Sequence, residues 1–127
     1  MEEKGYEKLK IYSKAHELAL RIHKMSLDLP QYELYEEGSQ IRRSSKSVSS
    51  NIVEGFSLRK YKNEYIRYLS IAYASSEETV EHLDYIFETG SLKNKDLYDE
   101  LTGEYGNLCG MIFNFIQSVV EKHKIKR

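Results

Sequence analysis

The stretch Ser39–Phe56, SQIRRSSKSVSSNIVEGF, constrains the whole chain. Ile41, Ser45, Val48, Ile52 and Phe56 recur at spacings of four, three, four and four, the stripe of a helix that packs on other helices. Arg42, Arg43 and Lys46 fall together on a neighbouring face, because residues three and four apart are adjacent on a helix surface. Ser44, Ser45, Ser47, Ser49 and Ser50 add little bulk, so another backbone can approach this helix closely.

One proline and seven glycines in 127 residues favour long regular elements over hairpin-rich β structure. That length suits one domain around a single core. The net charge of −1 gives no global pull toward nucleic acid. The charge is nevertheless polarised: Arg42 to Arg67 holds seven basic residues against Glu54 and Glu64, a local +5 that leaves −6 on the remainder. A single cysteine, Cys109, excludes an intrachain disulfide and a cysteine-based zinc site, and its apolar helical setting reads as a buried small hydrophobe. The segment MEEKGYEKLK lacks the apolar core of a signal peptide, and no apolar run reaches membrane-spanning length. The expectation is a cytoplasmic protein with no membrane partner.

The apolar spacing predicts four helices. Residues 1–9 read as a loose tail, and Ser13 as the N-cap of a first helix that buries Ala15, Leu18, Ala19, Ile22, Met25 and Leu29. Pro30 stops it. An acidic connection over 31–38, with a short helical turn, leads to the second helix, which ends between Phe56 and Arg59. SLRKYKN, residues 57–63, is a basic connector, with Asn63 as the cap of the third helix. That helix buries Tyr65, Leu69, Ala72, Ser76, Val80, Leu83 and Phe87, exposes Glu77, Glu78, Glu81, Asp84 and Glu88, and stops at Gly90. Asn94 or Ser91 caps a fourth, with a stripe of Leu97, Leu101, Leu108, Ile112, Phe115, Ile116 and Val119. Gly103, Gly106 and Gly110 either weaken this helix or mark close helix contact, and residues 121–127 read as a fraying basic tail. The prediction is an all-α, antiparallel up-down-up-down four-helix bundle spanning 1–127 as one domain.

Catalytic signatures are missing. Di-iron bundles use Glu-x-x-His pairs, and here the residues three before His16, His23, His82 and His123 are Ser13, Leu20, Thr79 and Val120. No Arg is followed by His at the four-to-six spacing of small helical ribonucleases, and phosphate loops, nucleophile elbows and dinucleotide fingerprints are absent. No enzyme activity, metal or cofactor is expected. What remains is a basic band with aromatic rings in it. Arg42, Arg43, Lys46, Arg59, Lys60, Lys62 and Arg67 are the candidate phosphate contacts, and Tyr61, Tyr65 and Tyr68 the candidate base-stacking rings. The alternative for the same residues is structural: Tyr65 and Tyr68 pack in the bundle or on a neighbouring subunit, and Arg42 and Arg43 pair with carboxylates.

IYSKAHEL (11–18), QIRRSSKSVSSNIVEGF (40–56) and EYIRYLSIAYASSEE (64–78) resemble the 23S rRNA intervening-sequence proteins, in order and at compatible spacing over about residues 9–120. Gln-Ile-Arg-Arg and Asn-Ile-x-Glu-Gly are the most specific pieces. Two positions depart from the family pattern: Ser49 stands where a proline is usual, and Lys46 where a small or aliphatic residue is usual. The resemblance implies a left-handed bundle assembled as a ring-shaped homopentamer. It also implies kinship with the accessory subunit of diversity-generating retroelements, which binds nucleic acid and a reverse transcriptase. Expected partners are therefore further copies of the chain, structured RNA or DNA, and a reverse transcriptase or other protein. The leading expectation is a non-enzymatic, homo-oligomeric nucleic-acid-binding accessory protein. The alternative is a protein-interaction scaffold whose arginines serve subunit contacts.

Overall fold

The apolar stripes become four helices, α1 (Lys10–Leu27), α2 (Glu37–Ser57), α3 (Lys62–Glu88) and α4 (Lys95–Ile125), in a computed structural model that describes residues 4–125. No strand occurs among the described residues. The chain is a four-helix bundle in which each helix packs on the next and α4 returns to α1. Cross-helix pairs run in opposite order along neighbours. Glu37, Ser44 and Ser47 of α2 meet His82, Thr79 and Ser75 of α3. Lys14 and Arg21 of α1 form ion pairs with Glu104 and Glu100 of α4.

The core is the set of stripes closing on one another. Leu18, Ile22, Ile41, Val48, Ile52, Leu69, Leu83, Leu101, Leu108 and Ile112 are all sealed from solvent, each contributing roughly 1.5–3 kcal/mol by leaving water. Two fully buried hydrophobic residues, Ile86 and Tyr105, lie outside the expected stripes, whereas Phe56, Val80, Phe87, Leu97, Phe115 and Ile116 of those stripes are only half-buried. Cys109 is half-buried as well, with its sulfur 3.0 Å from the Ser76 hydroxyl. Burial pushes its thiol pKa up, with the Ser76 bond opposing.

The serine run of α2 does let α3 come close. Ser44 Oγ lies 2.9 Å from Thr79 Oγ1, and Ser47 Oγ 2.9 Å from Ser75 Oγ. These pairs satisfy hydroxyls that burial would otherwise leave without water. At Gly55 a Cβ would sit 3.2 Å from both Tyr65 Cδ1 and Tyr68 Cβ, so only glycine fits without adjustment. Gly103, Gly106 and Gly110 behave oppositely: a Cβ at any of them meets nothing within 4 Å. They do not mark close contact within the bundle.

Several helix ends differ from the sequence expectation. α1 starts at Lys10 after Leu9, and α3 at Lys62 after Tyr61, with no side-chain cap at either end. Ser13 and Asn63 are therefore inside helices rather than capping them. Residues expected to be loose are partly ordered. Gly5–Lys8 forms a 3-10 turn, Leu9 packs against the core, and α4 continues through Ile125. The remaining residues of both expected tails, 1–3 and 126–127, lie outside the described residues. Other ends follow expectation. α1 ends at Leu27, ahead of Pro30, and Gln31–Glu33 forms a 3-10 turn. Gly90 adopts φ +86° after α3, a conformation that costs glycine little. Asn94 caps α4, its Oδ1 accepting the Leu97 N–H at 3.0 Å.

Candidate nucleic-acid interface

Adjacent residues of α2 meet different fates. Arg42 turns inward: Nη1 donates to Ser26 Oγ at 2.9 Å and Nη2 to the Leu34 carbonyl at 2.7 Å. The guanidinium thus ties the end of α1 and the acidic connection to α2. Gly38 makes room for it, since a Cβ there would lie 2.5 Å from the Glu33 carbonyl and 3.2 Å from Arg42 Nη1. Arg42 is a fastening of the fold, which corrects its place among the candidate phosphate contacts. Arg43 and Lys46 are exposed, and among the described residues neither is in an ion pair.

The other basic residues gather at the end of the bundle where α2 passes into α3. Arg59 is exposed, lies 3.9 Å over the Phe56 ring and donates from Nη1 to the Phe56 carbonyl at 2.9 Å. Lys60 is exposed and stands 5.9 Å from the centre of the Tyr61 ring, while Lys62 is half-buried. Arg67 is exposed over Tyr68 at 5.3 Å, with Glu64 3.8 Å away. Lys46 precedes the end of α2 by eleven residues, ~17 Å along the helix axis. The expected single band is therefore two patches.

The tyrosines divide in the same way. Tyr61 is 57% exposed, with its ring free to stack. Tyr65 is buried, edge-on to Phe115 with 6.0 Å between ring centres, and burial raises its phenol pKa while Arg59 opposes the shift. Tyr65 is a core residue, which removes it from the stacking candidates. Tyr68 is half-buried against Gly55.

The acidic run of α3 lies later along that helix. Glu77, Glu78, Glu81 and Glu88 are exposed on α3, and Asp84 accepts a hydrogen bond from the Tyr98 hydroxyl at 2.6 Å. His82 is held between Glu37 at 2.6 Å and Glu78 at 3.2 Å. Among the described residues, no group of three or more His, Cys, Asp or Glu side chains is arranged to hold a metal ion. No helix among them is long and apolar enough to cross a membrane.

A groove of about 490 Å³ between α1 and α2, lined by His16, His23, Lys46, Ser49 and Ser50 over Ala19 and Leu20, is absent from the sequence-based site. Its α1 residues were visible as a pair of histidines seven apart. Their proximity to Lys46 depends on how the two helices are set against each other.

The family model of the 23S rRNA-intervening sequence proteins matches residues 7–114. The chain belongs to this family. A crystal structure of a protein of unknown function from the S23 ribosomal protein family, from Bacteroides thetaiotaomicron VPI-5482, has the same fold. It superposes with a TM-score of 0.72 at 21% identity, over 84% of this chain and 95% of that one. No curated protein matches the chain.

Proposed function

We propose that this member of the 23S rRNA-intervening sequence family is a non-enzymatic accessory protein of the cytoplasm that binds structured nucleic acid as a homo-oligomer. The observation that carries the proposal is the connector between α2 and α3. Arg59, Lys60 and Tyr61 are exposed there beside Lys62, and none of the three cations is in an ion pair among the described residues. Stacking on Phe56 and Tyr68 preorients the guanidiniums of Arg59 and Arg67, a contact worth roughly 0.5–1 kcal/mol at exposed sites. Such a patch meets phosphates with little base readout, and Tyr61 adds a face for an unpaired base. Assembly as a homopentamer, which the resemblance implies, would repeat the patch and concentrate its field. The family's name points to structured RNA as the first probe.

The test is binding of labelled structured RNA and duplex DNA across a salt series, with the protein's mass measured in the same buffer. Binding should weaken steeply with salt. The triple reversal of Arg59, Lys60 and Lys62 to Glu should reduce the slope of log K against log salt by about 2–3 and leave the mass unchanged. Absence of wild-type binding at low salt refutes the proposal.

A second reading, a scaffold for protein contacts, is favoured by one face of α4. Gly103, Gly106 and Gly110 are open there and Phe113 is 52% exposed. On this reading there is no nucleic-acid affinity for the triple reversal to reduce.

A further inference from the structure

The groove between α1 and α2 brings one lysine, two histidines and two serines together with apolar surface. Its apolar lining is the buried Ala19 and Leu20, which is 59% exposed. Its walls carry Lys46 from α2 and His16 and His23 from α1. Ser49 and Ser50 complete it, but both hydroxyls donate to the Lys46 carbonyl, at 3.2 and 2.9 Å. Their oxygens are left as acceptors, and donors toward a ligand must come from the ammonium and the imidazoles. His16 is stacked on Tyr12, with Nδ1 3.4 Å from the Tyr12 hydroxyl. That contact occupies Nδ1 and leaves Nε2 for a ligand.

No carboxylate lines the groove. Glu17 and Lys24 on α1 and Arg43 and Glu54 on α2 are exposed but outside the lining, while Lys14 and Arg21 are paired with Glu104 and Glu100 of α4. Apolar surface beside a lysine, two imidazole donors and no carboxylate suits an anion with an apolar body. Its volume falls within the range of sites that hold one small organic molecule.

We infer that this groove is a second nucleic-acid site, taking one nucleotide of a single strand with a backbone phosphate against Lys46, His16 and His23 and the base or sugar over Leu20. The inference rests on the nucleic-acid reading above but uses a different patch, so the two can fail separately.

The experiment measures binding of a short oligouridylate over a salt series. Histidine ring NMR signals are followed in parallel, and inorganic phosphate is a second probe. The one phosphate held in the groove should contribute about 0.7 to the salt slope, the value per contact for single strands. K46Q should lose that increment, and H16Q/H23Q should weaken binding. The triple reversal at the connector should keep the increment, and its remaining effect reports on the proposed function alone. The inference is overturned if either K46Q or H16Q/H23Q binds as the wild type does, or if the His16 and His23 signals stay still on adding oligouridylate. Movement with inorganic phosphate but not with oligouridylate also overturns it, and identifies a small-anion site instead.

Discussion

Replacing Tyr105 with Phe should stabilise the protein. The Tyr105 ring is sealed in the bundle, and its hydroxyl has no hydrogen-bond partner. Ser45 stands nearby, its hydroxyl donating to the Arg42 carbonyl at 3.1 Å, and its oxygen does not meet the Tyr105 hydroxyl in hydrogen-bonding geometry. Burial raises the Tyr105 phenol pKa well above that of a free tyrosine, with the neighbouring Ser45 opposing. A buried hydroxyl left unpaired costs about 1–3 kcal/mol. Removing one oxygen forfeits a handful of dispersion contacts at about 0.1–0.2 kcal/mol each. The balance favours Y105F by ~1 kcal/mol. Unfolding entropy of ~2.1 cal/mol/K per residue makes that a rise of ~4 °C in Tm for a chain of this size. Urea unfolding followed by far-UV circular dichroism, at one protein concentration and with an unchanged m-value, measures it. An equal or lower midpoint would show that the hydroxyl is paired in solution, and the argument from an orphaned donor would fail.

The division between Arg42 and Arg43 predicts unequal alanine variants. R42A breaks two hydrogen bonds of a half-buried guanidinium and should cost ~2–3 kcal/mol, whereas exposed R43A should stay within ~0.5 kcal/mol; equal losses in chemical denaturation would contradict the assignment. G55A forces a Cβ to 3.2 Å from Tyr65 and Tyr68 and should destabilise by ~1–2 kcal/mol. G103A meets open space and should gain ~1 kcal/mol from helix propensity; if instead it lowers the assembled mass, that face belongs to a subunit contact. The Tyr98 hydroxyl donates to Asp84, which with burial pushes its pKa up from 10.0 to about 12. Its stabilising contribution is therefore complete below pH 10 and lost as the pH rises toward 12. Y98F should flatten the alkaline decline of stability in that window, and parallel declines in the two proteins would rule the link out.

Much of the bundle was legible in the sequence. The stripes of α1 and α2 are buried nearly as their spacing requires, because a helix presents every third or fourth residue to one side whatever packs there. Gly90 and Asn94 were readable because their roles are local: a positive φ in one case, and in the other a side chain reaching an amide three residues on. The starts of α1 and α3 were not readable, because no side-chain cap marks Leu9 or Tyr61. Tyr105 was missed because it stands between Gly103 and Gly106, where the apolar stripe of α4 is interrupted.

The candidate site was legible only as composition. Local sequence determined that Arg42, Arg43 and Lys46 share a helix surface. Neighbouring residues on that surface differ by about 100° around the axis, so a modest rotation of α2 decides which arginine turns inward. That rotation is set by α1 and the acidic connection, through Ser26 and the Leu34 carbonyl. Tyr65 lay both on the predicted buried stripe and among the stacking candidates, and its packing edge-on to Phe115, fifty residues away in the chain, decides for the stripe. The histidine–lysine groove exists only because α1 and α2 are packed at one register. Periodicity along one helix records which side is buried. Which residues of two helices face each other across a groove depends on packing between segments distant in sequence, and only the tertiary structure decides it.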